Sequence, residues 1–142
     1  MNTELHLGES SQFLTQNENM RDRGIVPPNV AVILPAYNEE LSIGSVVLRA
    51  KKCSHKVVVV DDASSDHTVD VAEMAGAEVI RNPITNRKGI FLKKGIEAAL
   101  DSDIIVIMNL GVCHDPGLIP RMITPIRNEN FELSIGICFS KL

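Results

Sequence analysis

Residues Lys56 to Asp66 read KVVVVDDASSD, and this stretch restricts the folds open to the chain more than any other. Its four successive valines, Val57 to Val60, present apolar side chains to both faces of any strand they form. Such a strand needs cover on both sides, as in the interior of a parallel sheet flanked by helices. Asp61 and Asp62 come at once after it, then Ala63, Ser64, Ser65 and Asp66. Ligands of open α/β sheets lie beyond the carboxyl ends of the strands. The two acids therefore stand where a ligand would be met. The same residues also suit a turn and a helix cap, so this stretch alone leaves both roles open.

The remaining segments supply the cover that such a strand requires. Val30 to Leu34 is a second apolar run without alternation, stopped by Pro35. Ala36, Tyr37, Asn38 and Glu39 make a turn, and the pattern predicts a helix from an Asn38 cap to about Lys52. Ile43, Val46, Val47 and Ala50 fall at helical spacing and should face the sheet. After the valine strand, Ser65 or Asp66 can cap a helix running to Ala75, with Gly76 as its left-handed stop. Glu78 to Ile80 reads as a short strand, and Asn82 to Gly89 as a loop carrying the local basic cluster. A helix to Leu100 then shows Leu92, Gly95, Ile96 and Ala99 on one face, before a buried strand from Asp103 to Met108. Asp115 and Pro116 mark the start of another helix, which Pro120 and Pro125 should bend or break. Phe131 to Phe139 reads as a last strand. Strands alternate with helices long enough for right-handed crossovers, so the expected fold is α/β: a Rossmann-like half-sheet, mostly parallel, flanked by helices.

At 142 residues with 44% hydrophobic side chains, the chain can build one domain with a substantial core. The expected division is a flexible polar arm over residues 1–29 and a folded unit over 30–142. A net charge of −4 and an aromatic content of 4% without tryptophan argue against a nucleic-acid partner. Cys53, Cys113 and Cys138 are odd in number and lack CxxC spacing, which fits reduced thiols better than a disulfide frame or a zinc site. No apolar run approaches the ~18 residues of a membrane span, and MNTELHLGES carries no leader pattern. The expectation is a cytoplasmic protein.

The first strand is followed by PAYNE where a dinucleotide fold would place GxGxxG, and no GxxxxGK[ST] occurs. A phosphoacceptor receiver domain fits poorly, because the acidic pair comes after the second strand and Arg81 after the third. Four segments taken together carry more. VILPAYNEE (Val32 to Glu40), VVVVDDASSDHT (Val57 to Thr68), NRKGIFLKKGIEAA (Asn86 to Ala99) and DIIVIMNLGVCHDPGLIPRMITPI (Asp103 to Ile126) occur in this order. The pattern resembles the nucleotide-sugar half of a family 2 glycosyltransferase of the GT-A fold, in the branch of the dolichyl-phosphate mannosyl- and glucosyltransferases. The resemblance runs from about Val30 to Phe139. It implies transfer of a sugar from a UDP- or GDP-sugar to an acceptor such as a polyprenyl phosphate, and a location in the cytoplasm or at the inner face of the membrane.

The same resemblance assigns residues. Pro35, Ala36 and Tyr37 would wrap the base, Glu39 would accept from a ribose hydroxyl or the base, and Asp61 or Asp62 from a base N–H. Lys88, at the family's GKG lysine, would approach the sugar or diphosphate. Relatives hold Mg²⁺ or Mn²⁺ with an Asp-x-Asp at the end of the fourth strand, and here those positions are Asn109 and Gly111. Both carboxylates are therefore missing, and the residue pattern assigns no metal ligand. Asp115, beside His114 and Cys113, reads as a helix cap in preference to a metal ligand. Relatives continue beyond this length, and their acceptor site and catalytic base would lie in that further portion. The resemblance thus leaves three readings: a glycosyltransferase, a metal-deficient module that binds a nucleotide sugar without turnover, or an inactive remnant with no ligand. An unpaired last strand would offer a route to a homo- or hetero-oligomer.

Overall fold

The valine strand sits inside the sheet because helices cover both of its faces. The computed structural model describes residues 3–24, 27–83, 88–111, 115–129 and 131–135, with only the backbone of 3–10 and 88–90. In chain order the elements are α1 (Thr3–Asp22), β1 (Val30–Ala36), α2 (Ile43–Ala50), β2 (Lys56–Asp61), α3 (Thr68–Met74), β3 (Glu78–Arg81), α4 (Lys88–Ala98), β4 (Ile104–Ile107), a 3-10 turn (Pro116–Leu118) and α5 (Ile119–Asn128). The four strands are parallel in the order β3-β2-β1-β4.

Alternate residues of each central strand feed two separate cores. Val30, Val32 and Leu34 of β1, with Val57 and Val59 of β2, pack against Ile43, Val47 and Ala50 of α2 and against Ile119 and Ile123 of α5. Ala31, Ile33, Val58 and Val60 point the other way and meet Phe91 and Ala99 on the α4 side. This double burial explains why neither strand alternates apolar with polar. Helix α4 comes close enough only because residue 95 is glycine. A Cβ there would lie 2.8 Å from Val60 Cγ2 and 2.9 Å from Ile33 Cγ2, both on stiff β-branched side chains. At the end of α3, Gly76 adopts φ +90°, the left-handed stop anticipated there.

Several expectations are corrected. Most of the polar stretch expected to be a flexible arm forms the 20-residue helix α1. It carries no continuous apolar stripe, so periodicity gave no sign of it. Good helix formers sustain it locally, and Phe13 docks it, being only 4% exposed. The Arg127 guanidinium lies 5.7 Å from the Phe13 ring centroid and donates to Met20 Sδ at 3.2 Å. Partial burial lowers the pKa of Arg127 without discharging it.

Helix α2 is not capped by Asn38, which has φ +50° and belongs to the preceding turn. The helix begins at Ile43, so Glu39 and Glu40 lie before its first turn. Pro120 and Pro125 do not break α5. Pro120 occupies the first turn, where no N–H is needed, and the helix runs through Pro125, whose carbonyl accepts from Glu129 N at 2.9 Å. The interruption falls earlier, in the 3-10 turn that Asp115 caps by accepting from Gly117 N at 2.9 Å. Residues 131–135 are not a strand, and Phe131, Leu133 and Ile135 are exposed. The rest of the expected last strand lies outside the described residues, as do Cys113, His114 and Cys138. No described helix is long and apolar enough to cross a membrane.

Gly95→Ala tests the α4 contact by the sign of its effect. Alanine in a helix interior normally stabilises by about 1 kcal/mol. Here overpacking against Val60 and Ile33 should destabilise by about 1–3 kcal/mol, read as a lower denaturant midpoint at unchanged slope. A stabilised variant would show that the approach is looser than described.

Candidate functional site

Ala36 pairs with Asp61 in the parallel register of β1 and β2, so the two chains leave the sheet side by side. Both turn sharply there. Asn38 at φ +50° and Ala63 at φ +58° occupy the left-handed region, which asparagine tolerates and alanine adopts at a cost of about 1 kcal/mol. Contacts between the two loops hold these conformations. Asp62 N donates to Ala36 O at 2.9 Å, Asn38 N to Ser64 Oγ at 2.9 Å, and Ser65 N to Asn38 Oδ1 at 2.9 Å. Further along, Glu39 N donates to Thr68 Oγ1 at 2.7 Å, Glu40 N to Asp66 Oδ2 at 3.2 Å, and His67 N to Glu40 Oε2 at 3.0 Å.

Asp66 is shared between the loops. Its Oδ1 accepts from Thr68 N at 2.9 Å and from Thr68 Oγ1, while Oδ2 accepts from Glu40 N. Desolvation pushes its pKa up, but the hydrogen bonds from Thr68 and Glu40 outweigh that and hold it below the ordinary carboxylate range.

Beside this clasp lies a cleft of about 690 Å³ lined by Pro35, Ala36, Tyr37, Val60, Asp62, Phe91, Leu92, Ile107 and Asn109. Of the residues singled out in the sequence, it unites Pro35, Ala36, Tyr37 and Asp62 with Asn109. Asp62 Oδ1 accepts from Asn82 Nδ2 at 2.8 Å, which steadies the carboxylate and leaves Oδ2 to a ligand. Asp61 lies beneath, 3% exposed; its Oδ2 accepts from Ser64 N at 3.1 Å, and its Oδ1 has no hydrogen-bond partner among the described residues. Glu39 is not part of the lining, and its Oε2 accepts from Ser42 Oγ at 2.6 Å. Gly111 is exposed and outside the lining, while Lys88 opens α4 with its side chain outside the described atoms.

The apolar walls, Val60, Phe91, Leu92 and Ile107, were not assigned to a site from the sequence, which read Val60 and Leu92 only as core positions, and neither was Asn82. Phe91 lies one helical turn before Gly95 and therefore on the sheet-facing side of α4, a signal that periodicity could have supplied. Asn82 had no such signal, because its role depends on β3 lying next to β2. There its N–H donates to Asp61 O at 2.8 Å and its side chain reaches Asp62.

A divalent cation does not fit the donors among the described residues. Asn109 offers a neutral amide and Gly111 no side chain, and no described cluster of three or more His, Cys, Asp or Glu could hold a metal. Mg²⁺ and Mn²⁺ are held chiefly by carboxylate oxygens.

Residues 31–141 match the family model described as Glycosyl transferase family 2. The chain belongs to that family. It is 31% identical over 126 residues to an uncharacterized protein of Methanocaldococcus jannaschii, covering 87% of this chain and 52% of that protein. It is also 31% identical over 122 residues to the dolichol-phosphate mannosyltransferase of Pyrococcus furiosus, covering 79% of this chain and 34% of the enzyme. Among solved structures, the glucosyl-3-phosphoglycerate synthase of Mycobacterium tuberculosis superposes with a TM-score of 0.59 at 28% identity, covering 71% of this chain and 42% of that one. One structure of that synthase is a complex with Mn²⁺, UDP and glucosyl-3-phosphoglycerate. The parallel sheet flanked by helices is thus the GT-A fold of family 2, and the chain spans about a third to a half of the length of these relatives.

The clasp predicts an acid sensitivity with a definite sign. Because the folded-state pKa of Asp66 is depressed, its contribution to stability is full above the ordinary carboxylate range and is lost as pH falls through the depressed value. Asp66→Asn should therefore lower the melting temperature near neutral pH and leave it unchanged in strong acid. Thermal melts across that range check this, and an equal loss at both extremes would contradict it.

Proposed function

We propose that this family 2 chain binds the nucleoside of a UDP- or GDP-sugar in the cleft at the ends of β1, β2 and β4. One observation carries the reading: an exposed aromatic, Tyr37, and an oriented carboxylate, Asp62, share a single apolar cleft at the carboxyl end of a parallel sheet. The Tyr37 ring offers a stacking surface for a base, with Val60, Phe91, Leu92 and Ile107 as the apolar walls. Asp62 Oδ2 accepts from a base N–H, while Asp61 supports the loop below. By family resemblance Glu39, outside the described lining, would accept from a ribose hydroxyl or the base, and Lys88 would approach the sugar or diphosphate.

The activity that goes with this site is transfer of the sugar. The acceptor oxygen bonds to the anomeric carbon as the bond from that carbon to the diphosphate breaks, and the nucleoside diphosphate leaves. A polyprenyl phosphate, the acceptor class suggested by the mannosyltransferase relative, is already ionised and needs no base to take its proton. A second reading, a nucleotide-sugar-binding module without turnover, draws support from the neutral Asn109 in the cleft.

Calorimetric titration with UDP, GDP and UDP-glucose tests the shared part of both readings. One nucleotide series should bind. Asp62→Ala should weaken that binding by about tenfold or more, the loss of a charge-assisted hydrogen bond, and Tyr37→Ala should weaken it by a similar factor through lost stacking. Absence of binding by any of the three, or full affinity in a folded Asp62→Ala variant, would overturn the proposal. Release of sugar from UDP-glucose to an added polyprenyl phosphate would then favour transfer over simple binding.

A further inference from the structure

We infer that this cleft takes its nucleotide without a divalent cation, so that recognition rests on the nucleoside and not on a metal-bridged diphosphate. The inference depends on the nucleotide-binding reading above and deepens it. Three features of the cleft support it. Asn109, at the end of β4, brings an uncharged amide to the cleft, and Gly111 beyond it brings nothing. The carboxylate that does line the cleft, Asp62, has Oδ1 occupied by Asn82 Nδ2 at 2.8 Å. It can offer one anionic oxygen, and that oxygen faces the demand of the base. Asp61 is not part of the lining: it is 3% exposed, with Oδ2 held by Ser64 N and Oδ1 buried beneath the cleft without a partner among the described residues.

A small divalent ion keeps several waters and is held by one or two protein carboxylates together with the substrate's phosphates. Asn109 and Gly111 supply no carboxylate at the end of β4, and the one carboxylate that lines the cleft, Asp62, is oriented by Asn82 toward its own role. The described lining offers instead a phenol ring, apolar walls and an acceptor. These are contacts to a base and ribose.

The test is calorimetry on the full chain with UDP, uridine, GDP and guanosine, each with Mn²⁺ and with a chelator in its place. For the base that binds, Mn²⁺ should change the dissociation constant of the nucleoside diphosphate by less than about threefold. Tightening of the diphosphate by about tenfold or more, with the bare nucleoside unaffected, would overturn the inference while leaving the nucleotide-binding reading intact. If no nucleoside or nucleotide binds, both fall together. The double substitution Asn109→Asp with Gly111→Asp provides the converse: Mn²⁺ should now tighten the diphosphate by about tenfold or more. A double variant with an unchanged circular dichroism spectrum and retained nucleotide binding, yet still indifferent to Mn²⁺, would overturn the assignment of these positions.

Discussion

The pairing of β1 with β2 in one register, Ala36 beside Asp61, governs both the packing of this molecule and the position of its cleft. A slip of one residue would turn Val58 and Val60 toward α2 and Val57 and Val59 toward α4, exchanging two cores of different shape. It would also carry Asp62 away from Ala36, whose carbonyl its N–H reaches. Core packing on both faces therefore fixes where the acidic loop emerges. Gly95 contributes to this, because α4 settles onto Ile33 and Val60 only in the absence of a side chain at that position.

The loops beyond that register are held by polar contacts and not by burial of apolar surface. Asn38 and Ala63 sit in backbone conformations unfavourable to most residues, a kind of strain that persists only where surrounding contacts over-determine it. The over-determination is visible: main-chain donors of the first loop end on Ser64, Asp66 and Thr68 of the second, and Asn38 and Glu40 return the arrangement with their side chains. The consequence is a preorganised wall of Pro35, Ala36 and Tyr37 facing Asp62. Asn82 completes it by tying β3 to both aspartates. Preorganisation of this kind reduces the ordering that a ligand must impose on binding.

Much of this was legible in the sequence, and the reasons differ by segment. The interior strands announced themselves because Val30 to Leu34 and Val57 to Val60 are apolar on both faces, which only a doubly covered sheet accommodates. Gly76 and Asp115 were readable because their roles are local, one a left-handed stop and one a cap. Helix α1 was not, since a helix docked chiefly through Phe13 leaves no apolar period to detect. Asn38 looked like a cap because asparagine serves both caps and left-handed turns, and only the tertiary contact to Ser64 and Ser65 decides between them. The engagement of Glu39 by Ser42 and the bridge from Asn82 to Asp62 depend on side-chain geometry across the fold, which no linear pattern encodes. Of the residues the family motifs pointed to, Pro35, Ala36, Tyr37 and Asp62 line the cleft, while its apolar walls had to come from the packing.

If the register of β1 and β2 builds a nucleoside site at one end of the sheet, a bound nucleotide must leave its mark there. Amide chemical-shift mapping in ¹⁵N-labelled protein titrated with UDP or GDP reads that position residue by residue. The perturbed amides should gather at Tyr37, Asp62 and Asn109. Perturbations gathered instead around Lys51, Ser54 and His55, at the opposite end of the sheet, would refute the placement.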